Sequence, residues 1–580
     1  MNAATERALD HGLAQWVRDR TGSDVLARAA QAASAAEGDG HACGRLVAFD
    51  HAEIEALRMH PWVGSGDAFS PFVLDGERRF WLWRNWRHEQ RLADALLARC
   101  AARTRPLADA DLARDAATLF EDGEADRTAD QRAALAAVPG TRLFVLTGGP
   151  GTGKTTTVVR MLLMLLRHAR ACGLPDRPRI ALAAPTGKAA QRLAQAIARG
   201  KDDVAPRIAG SAFAGLLDAI PHAQAQTLHR LLGYQPSRNR FAYGADDRVP
   251  ADIVVVDEAS MVDLATMRQL VEALPASSSL ILLGDPDQLA SVDAGSVLAD
   301  VVASASEATS PLRGHVAVLR HVWRAGGDLQ RAIEALRDGT VDWSGRPATT
   351  DGALLRACAD AASLHACIDG WLDRRAAEHA QLFSAAIDPG SALALLRRSQ
   401  VLCALREGRF GAAGINARIG DRLGARHGFD ANRSWYHGRP VIVTRNDYAR
   451  GLFNGDVGVA LADESGLRVW FESADHQGGA ALRGFSPRVL PPCETAWAIT
   501  IHRSQGSEYD DVAVVLPPDP EHRLLSRELV YTAISRARRR AELWTTPAAL
   551  EAAVARRVER LGGLRARLGG PMRPRQGSLF

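Results

Sequence analysis

Leu143-Phe144-Val145-Leu146-Thr147-Gly148-Gly149-Pro150-Gly151-Thr152-Gly153-Lys154-Thr155-Thr156-Thr157-Val158-Val159-Arg160 decides the fold of this chain. Its first four residues form an apolar run that reads as a buried strand. Its end opens a second apolar run, to Leu166, with the look of a helix. Between them lies G-x-x-x-x-G-K-T, and strand, glycine-rich turn and helix together are the context a phosphate-binding loop requires. The segment Gly148, Gly149, Pro150, Gly151, Thr152, Gly153 turns the backbone tightly and aims N–H groups at phosphate oxygens. The helix behind it offers its N-terminus to the same anion. Lys154 is placed to reach the β- and γ-phosphates, and the Thr155 hydroxyl to ligate Mg²⁺, with Thr156 beside it. Of 71 basic residues only Lys154, Lys188 and Lys201 are lysine. The survival of an ammonium at 154 fits a site that needs a compact point charge.

At 580 residues the chain is too long for one core. With 47% apolar and 24% charged residues it is globular in composition, and a net charge of +4 announces no global field for nucleic acid. Seven cysteines without a C-x-x-C pair argue against zinc, iron–sulfur and a disulfide framework. No stretch approaches the length of a membrane span, and the N-terminus lacks the order of a signal peptide, so a bacterial-type cytoplasm is expected.

Working outward, Ala129-Asp130-Gln131 opens a helix ahead of the loop strand. The Gln131 amide can read adenine with one donor and one acceptor. Arg179 to Thr186 is a second strand ending in Pro185-Thr186-Gly187-Lys188, where Thr186 and Lys188 suit a phosphate, of nucleic acid rather than nucleotide. Ile253-Val254-Val255-Val256 delivers Asp257 and Glu258. The first is suited to hold Mg²⁺ through water, the second to orient or deprotonate the attacking water. Leu280 to Leu283 leads to Gly284-Asp285-Pro286-Asp287-Gln288, and Gln288 is placed to sense the γ-phosphate. Strands alternating with helices predict a parallel α/β core. Arg324 is a candidate γ-phosphate ligand, and Leu529 to Arg538 reads as a helix carrying Arg536 as a possible arginine finger. Residues 345–395 read as Ala/Leu helix. Residues 80–86, FWLWRNW, read as a core strand with its tryptophans divided between two faces, or as a docking surface. Gly40-His41-Ala42-Cys43 reads as a structural turn.

The motif order resembles that of superfamily 1 helicases and, within them, the RecD family, the alpha subunits of exodeoxyribonuclease V. The residues that carry it are Gln131, GGPGTGKTT at 148–156, APTGKAA at 184–190, TLHRLLG at 227–233, VVVDEASMVD at 254–263, GDPDQLASV at 284–292, Arg324, ITIHRSQGSE at 499–508 and VYTAISRAR at 530–538. RPVIVTRNDY with LFNGDVG, at 439–458, is similar to the RecD branch. Two positions depart from the usual pattern, Arg503 for lysine and Ser535 for threonine, and both keep a donor.

The resemblance implies two RecA-like P-loop domains with ATP and Mg²⁺ between them, moving 5′ to 3′ on single-stranded DNA. It implies Gly506 and Glu508 near the γ-phosphate and ribose, and DNA contacts from Thr186, Lys188, His229, Thr500 and His502. The expected domains are a mostly helical partner-docking region at 1–115, a first RecA-like domain at 116–310 with a duplex-splitting hairpin at 233–243, and a second at 311–424 and 491–560. An SH3-like β-barrel is expected at 425–490 and a basic flexible tail at 561–580. The implied function is an ATP-hydrolysing DNA helicase for double-strand-break repair by homologous recombination, partnered by RecB-like and RecC-like subunits. The absence of N-terminal helix-hairpin-helix repeats favours a heterotrimer subunit over a standalone RecD-like or RNA helicase. The intact motor residues disfavour a non-catalytic DNA-binding scaffold. No nuclease constellation is visible, so cleavage is expected from the beta chain. Finally, Gln576, Leu579 and Phe580 resemble the Q-x-x-L-F peptide that docks on the bacterial sliding clamp.

Overall fold

A computed structural model of the chain describes residues 7–102, 107–121, 126–222, 224–323, 327–340, 352–447, 449–464, 466–474 and 480–569. The loop strand Leu143–Gly148 is buried along its whole length. So are Ile253–Val256 and Ser279–Gly284, which lie near it in one parallel sheet. Continuous apolar runs suit strands covered on both faces. The sheet order is Val316–Leu319, Leu143–Gly148, Ser279–Gly284, Ile253–Val256, Ile180–Ala184, Gln226–Thr227. Helices Lys154–Arg167 and Gly187–Ile208 bury their apolar residues against it. The first body extends past residue 310, because Val316–Leu319 pairs with the loop strand, Val316 opposite Val145.

The second sheet is also parallel, in the order Gly352–Ala357, Ala537–Thr545, Tyr509–Val515, Ser399–Cys403, Ala498–Thr500. Two expectations change here. Gly352–Ala357 is a strand inside the stretch read as helical, because it pairs over six residues with Ala537–Thr545. The helix carrying the 527–534 segment stops at Ile534, so Arg536 sits in the turn before that strand.

Residues 440–495 form a five-stranded antiparallel sheet, ordered Ala480–Phe485, Gly466–Ala474, Val457–Asp463, Pro440–Val443, Cys493–Thr495. Its two edge strands do not pair with each other among the described residues. Tyr234–Gln235 and Arg240–Phe241 form a short hairpin, with Asn239 left-handed at its turn.

The N-terminal region combines helices with a small sheet. Helices Ala8–Thr21, Asp24–Gly38, His51–Arg58 and Trp83–Ala101 pack around a four-stranded sheet. The tryptophans divide between elements: Trp81 lies on the strand Arg79–Leu82, whereas Trp83 and Trp86 lie on the following helix, whose repeat buries Leu92, Leu96 and Cys100. The C-terminal segment is also corrected, since 561–569 is packed rather than loose. Helix Leu564–Gly569 buries Leu564 and Leu568 in the first body's core. The Leu561 N–H donates to His41 Nδ1, and the Ala42 N–H to the Leu561 carbonyl. Residues 570–580, with the clamp-like peptide, lie outside the described residues. Among those described, no helix is long and apolar enough to cross a membrane.

Candidate active site between the two bodies

The phosphate loop folds as its glycines require. Gly151 and Gly153 take φ values of 76° and 83°, which disfavour a side chain. A Cβ on Gly148 would lie 2.7 Å from the Leu319 carbonyl oxygen. Gly153 caps helix Lys154–Arg167, whose N-terminus faces the cleft. The Lys154 ammonium donates to the carbonyls of Gly148 (2.5 Å) and Gly149 (2.9 Å), folded back on the loop it would leave to meet phosphate. Thr155 lines the cleft beside it.

Opposite, Asp257 leaves the end of strand Ile253–Val256. Burial pushes its carboxyl up to about 6, and the neighbouring Glu258 charge adds to the shift. The Glu258 N–H donates to Asp257 Oδ1 at 2.9 Å. Glu258 adopts φ 53°, ψ 41°, a left-handed conformation that costs energy for a glutamate and that clusters at functional sites. One buried carboxylate, the Thr155 hydroxyl and incoming phosphate oxygens are the hard, incomplete donor set that Mg²⁺ accepts, since it keeps several waters.

The second body closes the cleft. Arg536 is buried and donates from Nη2 to Gln288 Oε1 at 2.9 Å. Gln288 Nε2 donates to Asp285 Oδ2 (3.1 Å), which also accepts from the Tyr531 hydroxyl (2.9 Å). The Leu289 N–H donates to Thr532 Oγ1 at 2.8 Å. Gly506, left-handed at φ 72°, and Glu508 line the same space. The cleft measures about 310 Å³, and Lys154, Asp257, Glu258, Gln288, Glu508 and Arg536 all border it.

Gln131 sits around the corner. Its Nε2 donates to Thr157 Oγ1 at 3.0 Å. It borders a recess of about 430 Å³ with Phe120, Gly151, Gly153, Thr156 and Trp323. The Trp323 N–H donates to the Gly151 carbonyl. An amide between two aromatic rings beside the phosphate loop suits a nucleobase. Arg324 lies outside the described residues.

The DNA candidates do not share one surface pocket. Thr186 caps helix Gly187–Ile208, accepting from the Ala189 N–H at 3.2 Å. Burial lowers the neighbouring Lys188 ammonium to about 8, with Arg192 adding to the shift. A Cβ on Gly187 would meet the Phe453 ring of the inserted sheet at 2.6 Å. His229 is exposed and packs on the hairpin rings of Tyr234 and Phe241. Thr500 borders a separate pocket of about 440 Å³ with Arg406, Asn416, Glu494 and Arg503, and His502 is exposed. The sequence reading passed over Arg192, Asp285, Tyr531, Thr532, Phe120 and Trp323. Asp285, Tyr531 and Thr532 lay inside quoted motifs and Trp323 beside Arg324, so adjacency was the available signal. Arg192 had none, as one guanidinium among many.

An AAA domain model matches residues 131–294, and a UvrD-like helicase C-terminal domain model matches 495–543. The RecBCD enzyme subunit RecD of Mycobacterium tuberculosis is 42% identical over 527 residues, covering 88% of this chain and 85% of that one. The RecBCD enzyme subunit RecD of Haemophilus influenzae is 31% identical, covering 76% and 72%. The ATP-dependent RecD2 DNA helicase of Deinococcus radiodurans is 31% identical over 83% of this chain but only 58% of its own length. A solved structure of Pif1 helicases at forked duplex DNA covers 71% of the chain and 91% of its own at 16% identity, with a TM-score of 0.36. On identity and coverage by the curated relatives, this chain belongs to the RecD family of superfamily 1 DNA helicases.

Proposed function

We propose that the chain is the ATP-driven 5′–3′ motor of a RecBCD-type enzyme, acting on single-stranded DNA at double-strand ends beside RecB-like and RecC-like subunits in a bacterial cytoplasm. The observation that supports this most is the convergence of groups from two separate sheets on one cleft. Lys154 leaves its loop carbonyls for the phosphates. Mg²⁺, held by Thr155 and Asp257, would neutralise charge between the β- and γ-phosphates. Glu258 orients the attacking water and accepts its proton. Arg536 and Gln288, already bonded across the cleft, carry the state of the γ-phosphate from one body to the other. Gln131 reads the base, and Gly506 and Glu508 approach from the second body. Repeated closing and opening then shifts the grip of Thr186, Lys188, His229, Thr500 and His502 along the strand. Contacts of this kind suit a motor indifferent to sequence.

The test is Lys154→Gln in the complex co-purified with its partners. ATP hydrolysis and unwinding are expected to fall by at least about a hundredfold while single-stranded DNA binding persists. Wild-type turnover in the variant, or unwinding that starts only from 3′ tails, would overturn the reading.

A further inference from the structure

Helix Gly187–Ile208 carries two stripes. Leu193, Ile197, Val204 and Ile208 are buried in the first body's core. Ala189, Arg192, Ala196, Arg199 and Asp203, spaced by three and four residues and therefore on one face, border the nucleotide cleft. The first turns of that face meet the second body. A Cβ on Gly506 would lie 3.7 Å from the Ala189 Cβ. One turn further, Arg192 Nη2 stands 2.9 Å from Glu508 Oε1. The Asp257 and Glu258 carboxylates act on the same guanidinium from the strand end and, with Glu508, hold its proton more firmly despite burial. Arg192 thus faces acids of both bodies. Four residues earlier on the same rigid helix, about 6 Å along its axis, is Lys188.

Resting on the motor reading above, we infer that Arg192 is a positioning residue that couples nucleotide to DNA. Its guanidinium bridges to Glu508 and ties the helix to the second body. Entering phosphates are a stronger, multiply charged acceptor for a planar fork than a single carboxylate. Transfer of the guanidinium from Glu508 toward the phosphates releases that tie and shifts the helix end that bears Thr186 and Lys188.

The experiment measures ATP hydrolysis against ATP concentration, with and without an oligo-dT strand, for the complete complex carrying wild-type chain, R192A, R192K, E508Q or R192A/E508Q. DNA stimulation of kcat is expected to fall about tenfold in R192A, a coupling loss of ordinary size. R192K, which keeps the charge and loses the fork, is expected to recover part of it. The double variant is expected to be no worse than the poorer single one, because both act through one bridge. Full stimulation in R192A overturns the inference. So do losses that multiply in the double variant, and so does an unrecovered R192K with a lowered melting temperature, which assigns the loss to folding. Absence of DNA-stimulated hydrolysis in the wild-type complex would instead overturn the motor reading itself.

Discussion

The two parallel sheets share a plan and differ in what they bury. The central strands of the first, Leu143–Gly148, Ile253–Val256 and Ser279–Gly284, are almost wholly apolar, and polar chemistry begins only where they end. The second is ionic inside. Its strand Ala537–Thr545 carries Glu542, whose side chain is 0% exposed and is held by Arg356 (2.8 Å), Arg374 (2.8 Å) and Arg540 (3.0 Å). Arg375 pairs with Asp511 at 2.7 Å on the adjacent strand. An apolar sheet fixes its strands by burial, which tolerates small shifts. An ionic one fixes them by a set of directed contacts. The second sheet has to deliver Arg536, at the start of the Glu542 strand, to a partner in another body, and the directed network sets that strand's position.

The difference is broken most directly at Glu542. Burial pushes its carboxyl up, but the guanidiniums of Arg356 and Arg374 outweigh burial and hold it below the usual range. Glu542→Leu leaves three guanidiniums around an apolar side chain, a loss of about 3 kcal/mol. Urea unfolding followed by tryptophan fluorescence should show the second body melting earlier, since Trp544 packs there and donates its indole N–H to Glu542. An unchanged midpoint would mean that the second sheet is held by burial after all.

The first body has its own buried acids, with the opposite sign. Asp300 is pushed up to about 7 by burial and by the nearby Glu89 charge, against a weaker pull from Arg565. Glu89 is itself raised by burial, although it accepts from the Gly563 N–H at 2.8 Å. An unfolded aspartate titrates near 3.9, so between about pH 4 and 7 the folded chain holds a proton that the unfolded chain has lost. Stability from this group is therefore full below about pH 4 and lost as pH rises through 7. Asp300→Asn should flatten the profile of melting temperature against pH over that window. A slope equal to wild type would remove Asp300 from the account.

The same contrast decides how much could be read from sequence. Apolar runs ending in Asp257-Glu258 or Asp285 to Gln288 announce both strand and site, because burial and chemistry occupy different residues. In Gly352–Ala357, Arg356 breaks the apolar pattern and is itself a contact that holds the strand, through Glu542 of Ala537–Thr545, so Ala/Leu composition pointed to helix. Residues 561–569 looked like a tail for a related reason. Their two apolar anchors, Leu564 and Leu568, are few, and their partners His41, Ala42 and Glu89 lie at the other end of the chain. The inserted sheet showed its strands through turn residues, but the return of Cys493–Thr495 to pair with Pro440–Val443 is a long-range contact that no local pattern encodes.

The smallest expected effect tests the joint where the two sheets meet. Tyr531 and Asp285 are both buried, and the hydroxyl donates to Asp285 Oδ2 at 2.9 Å. Tyr531→Phe removes this bond without a cavity, and Asp285 keeps the Gln288 amide and the Asp287 N–H. The loss is that of one hydrogen bond, about 1 kcal/mol. Because the bond spans the two bodies, the cost falls on closure and not on either core. The Michaelis constant for ATP should rise by about fivefold, with kcat and the unfolding midpoint nearly unchanged. If the midpoint drops and the Michaelis constant does not move, the bond belongs to the fold of the second body. Closure would then rest on the other contacts between the bodies, Arg536 with Gln288, Leu289 with Thr532 and Arg192 with Glu508.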